Sequence, residues 1–196
     1  MAKWILLLLC VSLLAFWMFY PGDIRRPPGI IAPNEPIQTD IKNPMSWEFK
    51  GFTFKPMAEY AGKVRVLHVA HYTSGPESIL SPVDLAFGWG AMSDQSVLDR
   101  LSISQSNRWY YFSYGANTPL PANQIYVLSA NTHMIPATAA IAETLSKIRA
   151  GNVIEFSGNL VWIYGPNGFH WESSLSRYDT GGGACEVLWV KSLTVR

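Results

Sequence analysis

The chain has 196 residues, 48% hydrophobic and 13% aromatic, enough apolar material for a packed domain and too much for a disordered chain. Its 15 basic and 14 acidic residues give a formal net charge of +1 with no long run of either sign. That balance lacks the electrostatic footprint of a nucleic-acid binder, so no nucleic-acid partner is expected.

In chain order, Met1-Ala2-Lys3 forms a short cytoplasmic tip before WILLLLCVSLLAFWMFY, Trp4 to Tyr20, which carries no charge. As a helix this run would be roughly 26 Å long, close to the thickness of a bilayer core. A single-pass transmembrane anchor over residues 4–20 is therefore expected, with the lipid bilayer as its partner. A cleavable signal peptide fits less well, because Phe16-Trp17-Met18-Phe19-Tyr20 offers no small residues before a cut. Lys3 favours a cytoplasmic N-terminus and Arg25-Arg26 oppose it. The short basic head, which need not be translocated, tips the expectation toward the inner (cytoplasmic) membrane with a periplasmic domain.

Residues 21–46 hold Pro21, Pro27, Pro28, Pro33, Pro36 and Pro44. Each proline fixes its own φ and biases its predecessor to extended geometry, which predicts a semi-rigid spacer. The alternative is that Ile30-Ile31 dock onto the domain or a partner.

Residues 47–196 read as one globular domain. WEFKGFTFK predicts a strand with a bulge at Gly51, and KVRVLHVAHY a second strand. SPVDLAF predicts a helix, with Ser81 as N-cap, Pro82 at the first helical position and Asp84 in the first turn; SDQSVLDRL predicts another short one. NRWYYFSY and NQIYVLSA read as strands rich in aromatic and β-branched residues. ATAAIAETLSKIRAG is the clearest helix, with Ile141, Leu145 and Ile148 on one face and Gly151 to end it. NVIEFSGNLVWIYGPNGFHWESS predicts two strands joined at Gly165-Pro166-Asn167-Gly168, and ACEVLWVKSLTVR the last strand.

Short strands with one main helix imply an α+β domain built on a curved antiparallel sheet or small barrel, an OB-like (oligonucleotide/oligosaccharide-binding) barrel being one candidate.

The stretch SSLSRYDTGGGACE poses the question of chemistry. Asp179-Thr180-Gly181 spells an aspartic-protease signature, but such enzymes need two carboxylates sharing a proton. The chain has one copy, with about fifteen residues after it to build the rest of a lobe. Asp179 therefore reads as a turn residue bonding local backbone. Cys185 could be a nucleophile if one of His68, His71, His133 or His170 lowered its pKa. Its apolar strand makes a quiet buried residue the simpler reading. Cys10, the other cysteine, falls in the expected anchor and is no disulfide partner.

His68 and His71 lie three apart on a strand and face opposite ways, and no Cys/His cluster is present, so no metal site is expected. His133 in SANTHMIP precedes a helix start and could simply bond neighbouring backbone. GGGA precedes a strand and lacks a helix dipole for phosphate, so no cofactor is expected. Two stretches read as ligand surface: LAFGWGAMSD, with Phe87 and Trp89, and QSNRWYYFSY, with Arg108 and Trp109. Core filling explains the same rings more simply.

The sequence of single anchor, proline-rich spacer, HY…SPVDLAFGWGAMSD, NTHMIPA and GNLVWI…SSLSRYDTGGGACE resembles a class of small single-anchor bacterial membrane proteins. The resemblance implies a cell-envelope protein and brings no activity with it. Three functions follow as expectations: an anchored binding or scaffold module, favoured because no catalytic set stands out, a cysteine-dependent hydrolase or transferase using Cys185 with a histidine, and an accessory subunit of a membrane complex with an envelope protein partner.

Overall fold

A computed structural model of the protein describes Trp4–Ile5 and residues 22–196. The expected anchor over 4–20 lies almost wholly outside the described residues, as does Cys10. Among the described residues no helix is long and apolar enough to cross a membrane.

The domain is α+β and mostly sheet. Its spine is β3 (Phe52–His71), a strand of 20 residues. The first part of β3 pairs antiparallel with β8 (Val153–Tyr164), and its last part pairs antiparallel with β4 (Val83–Gly88). β4 continues antiparallel to β7 (Ser129–Pro136), β7 runs parallel to β10 (Glu186–Val195), and β10 returns antiparallel to β8. The pairing therefore runs β3-β4-β7-β10-β8 and back to β3. Bulges at Val66/His68 on β3 and Val190/Ser192 on β10 bend the strands as such curvature requires.

The concave side is filled by Tyr60, Val66, Leu85, Phe87, Trp89, Phe156 and Leu188. Outside, β1 (Ile37–Asp40) and β2 (Trp47–Phe49) pair with β3, and β9 (His170–Glu172) pairs with β8. The hairpin of β5 (Leu101–Ser106) and β6 (Trp109–Tyr114) forms a separate two-stranded sheet against Leu67, Ala86, Met92 and Ile125. Three helices complete the domain: α1 (Gln95–Leu98), α2 (Ala122–Val127) and α3 (Ala139–Ser146). The last is the helix the sequence expects but ends at Ser146, short of Gly151; at its start Thr138 Oγ1 accepts the Ile141 N–H at 3.3 Å.

Several local expectations are corrected. SPVDLAF is the buried strand β4, because both of its faces are covered and the ladder bonds to β3 and β7 outweigh the Ser-Pro helix signal. NQIYVLSA is α2 followed by the start of β7. WEFKGFTFK is a hairpin turning at Lys50-Gly51, with φ of 51° and 80°, the two positive values a tight primed turn requires.

The proline-rich segment does not stand clear of the domain. Ile24 N–H donates to the Ala150 carbonyl, Arg26 Nε to the Gly151 carbonyl, and Ala32 is fully buried beside Ser93. Its extended geometry presents unpaired backbone groups, which the domain's α1 region satisfies.

Candidate functional site

Two of the site's side chains come from neighbouring strands. Asp84 on β4 and His133 on β7 are register partners. Cys185 ends the glycine loop just before β10, whose first residue, Glu186, pairs with Thr132 of β7. Arg108 arrives from the β5–β6 turn, where Asn107 and Arg108 both have positive φ, 51° and 68°.

Asp84 organises the group. Its side chain is fully buried; Oδ1 is 2.6 Å from Arg108 Nη1 and Oδ2 is 2.9 Å from His133 Nδ1. The second contact has ion-pair distance but not the alignment of a formed hydrogen bond, for neither Nδ1 nor Oδ2 has a well-directed partner. Distance is the better guide, since such bonds in unliganded sites are often skewed and tighten on binding. Trp171 covers the imidazole with ring centroids 4.9 Å apart, and the Arg108 guanidinium lies 3.9 Å above the Tyr72 ring.

His133 titrates abnormally. Burial by itself would lower its pKa, but hydrogen bonding and charge from Asp84 and Cys185 overcome burial and raise it to about 9. The ring is thus held as imidazolium at neutral pH, between a carboxylate and a thiol.

The thiol has further neighbours. Asn131 Nδ2 donates to Cys185 Sγ at 3.3 Å and to the Arg108 carbonyl at 2.9 Å. Asn131 Oδ1 in turn accepts from Gln105 Nε2, and Gln105 Oε1 meets His68 Nδ1 at 3.0 Å. His68 therefore supports Asn131 from behind and stays away from the thiol. Cys185 is half-buried and opens into a cleft of about 380 Å³ walled by Arg108, Trp109, His133, His170 and Trp171.

The residues singled out from sequence separate into two groups. Cys185, His133, Arg108 and Trp109 meet at one cleft. Phe87 and Trp89 are corrected to core residues, 0% and 2% exposed, because Phe87 on β4 and Trp89 just after it both pack into the main core. Asp179 sits on the loop's surface side, its Oδ2 accepting from Ser174 Oγ at 2.6 Å, a local turn bond. His133 lies inside β7, the strand that leads into α3, and its ring meets the Asp84 side chain. Arg177 pairs across the loop with Glu186 at 2.6 Å.

Asp84 was missed because the Ser81-Pro82 pair makes it look like an ordinary acid in a helix's first turn. The available signal was an acid within the otherwise apolar run VDLAF, where an ionised side chain needs buried partners.

Among the described residues no cluster of three or more His, Cys, Asp or Glu could hold a metal. A hollow of about 300 Å³ near Arg65 and Gln95 is lined by the N-terminal segment and contains no nucleophile. No family model, curated protein or solved structure matches the chain.

Proposed function

We propose that the protein is a cysteine-dependent acyl hydrolase or transferase in which Cys185 is the nucleophile, His133 the proton carrier and Asp84 the group that orients His133. The observation carrying this reading is the run of contacts from Arg108 through Asp84 to His133, with Cys185 on the wall of the same cleft as His133. A nucleophile beside a base that is itself held by a third group is the arrangement covalent acyl transfer needs.

With Nδ1 turned toward Asp84, the other ring nitrogen is left to serve the thiol. The thiolate is the attacking form. Sulfur attacks a carbonyl carbon, the C–S bond forms, the bond to the leaving nitrogen or oxygen breaks, and His133 gives that atom its proton. Water or an amine then attacks the thioester, returning its proton to His133 and releasing the sulfur. Asn131 Nδ2, 3.3 Å from Sγ, is available to donate to the carbonyl oxygen as it gains charge. Arg108 Nη1, 2.6 Å from Asp84 Oδ1, holds the buried carboxylate in place beside His133, a positioning role.

An OB-like barrel is the finer form of the fold we adopt. Numbering only the five ring strands in chain order gives 1-2-3-5-4 and back to 1, with 3 and 5 parallel and a helix between 3 and 4. A tether through residues 4–20 in a bacterial inner membrane, with the domain outside the cytoplasm, remains part of the proposal on the strength of the uncharged run alone. The binding-module reading keeps Arg108 and Trp109 but loses Phe87 and Trp89, which are buried.

The test is alkylation of Cys185 by iodoacetamide, followed by mass spectrometry across pH, in the native protein and in His133→Asn. Fast labelling that slows about tenfold or more in the variant supports the proposal. Labelling that is slow and equal in both proteins overturns it.

A further inference from the structure

Cys185 opens into two clefts. Beside the larger one already described, a smaller cleft of about 100 Å³ also reaches Cys185, walled by a different set of residues, Tyr110, Tyr126, Asn131, Asp179 and Thr180. Trp109, Gly181 and Cys185 belong to both. The nucleophile therefore sits at a junction and not at the bottom of a closed hole.

Their linings differ in a way that gives the junction a direction. His133, the proton carrier, lines only the larger cleft, so the leaving or incoming group belongs there. Asn131 lines only the smaller, next to the sulfur, where the carbonyl being attacked would rest. Along the junction, Gly181, Gly182 and Gly183 lack side chains, and among the described residues their amides make no hydrogen bond. Gly181 and Gly183 have φ of 87° and Ala184 N–H closes the turn on the Gly181 carbonyl, so the loop offers unspent turn amides, with no side chain in the way, to the carbonyls of a bound chain. Aromatic walls on both sides, Tyr126 and Trp109 on one and Trp109 and Trp171 on the other, supply sequence-tolerant contact area.

We infer that the substrate is an extended peptide-like chain that continues on both sides of the bond attacked, its acyl half in the smaller cleft and its amine half in the larger. The inference rests on the acyl-transfer reading and goes beyond it by fixing substrate class and direction. In the first step the thiolate forms the C–S bond, the amide C–N bond breaks, and the amine departs through the larger cleft with a proton from His133. A second amine entering by the same route, giving its proton back to His133, would regenerate an amide; water would give the free acid.

Three probes test this on the full chain: iodoacetamide, trans-epoxysuccinate carrying an Ala-Ala amide on one side, and the same epoxide carrying Ala-Ala amides on both sides. The two-sided probe should label Cys185 about tenfold faster than the one-sided probe, because contacts remote from the reacting atom contribute to its rate. Thr180→Trp, on the wall of the smaller cleft, and His170→Trp, on the wall of the larger, should each remove that gain when every epoxide rate is divided by the same variant's iodoacetamide rate. Equal rates for the two epoxides, with iodoacetamide labelling still dependent on His133, overturn the two-sided chain and leave the nucleophile assignment standing. Loss of the His133 dependence itself removes the reading beneath both.

Discussion

Asp84 and His133 face each other across the β4–β7 ladder, and their side chains meet at 2.9 Å with both buried. Burying an acid opposite a histidine is costly unless the two share charge, so the pair links folding to proton binding.

Stability should therefore fall with alkali. The folded His133 pKa of about 9 lies above the unfolded value near 6.5, so its stabilising contribution is complete below about pH 6.5 and is lost as pH rises through about 9. The whole contribution is on the order of 3 kcal/mol. Urea unfolding midpoints at about pH 6 and about pH 9.5 should show this drop in the native protein. His133→Gln should be less stable at the lower pH and nearly flat between the two; an equally steep profile in the variant would assign the effect elsewhere.

Asp84→Asn should affect the site and the fold together. It leaves the largely buried Arg108 guanidinium without its carboxylate, at a cost of about 3 kcal/mol, and removes the charge that keeps His133 protonated. Thermal melts and iodoacetamide labelling of Cys185 check both consequences. A variant of native stability that labels at the native rate would show that Asp84 does neither.

The sequence reveals elements whose local signals agree with their surroundings. The α3 helix announces itself through the spacing of Ile141 and Leu145, although it stops at Ser146, before Ile148 and the Gly151 expected to end it. β4 hides because strands covered on both faces lose their alternation, leaving Ser81-Pro82 as the loudest local signal, and it points the wrong way. The site shares that difficulty. Cys185, His133 and Arg108 are visible one at a time, but their meeting depends on the parallel β7–β10 pairing and on Asp84, which no periodicity marks.

Docking of the N-terminal segment gives a third prediction. A Cβ at Gly151 would lie 1.8 Å from the Ile24 carbonyl oxygen, and the residue's φ is positive as well. Gly151→Ala should cost more than about 2 kcal/mol, by strain and by expelling residues 24–26 from their contacts. Limited proteolysis near Arg25-Arg26 should speed up in step with the loss of stability. A neutral substitution with unchanged proteolysis would mean that the segment docks only loosely.

The glycine loop before Cys185 allows a finer test. Gly181 and Gly183 both have φ of 87°, whereas Gly182 does not share that conformation, and a Cβ at any of the three meets nothing within 4 Å. Space does not discriminate among them, but backbone conformation does. Gly181→Val and Gly183→Val should each cost more than about 1 kcal/mol, while Gly182→Val should be mild in thermal melts. Asp179→Asn keeps an acceptor for Ser174 Oγ and should leave the fold and the thiol labelling of Cys185 near native. An Asp179→Asn protein that folds normally but labels much more slowly would bring Asp179 into the chemistry. Equal melts for all three valine variants would mean that the loop does not hold this conformation in solution, and the strap along which the peptide-like substrate is drawn would go with it.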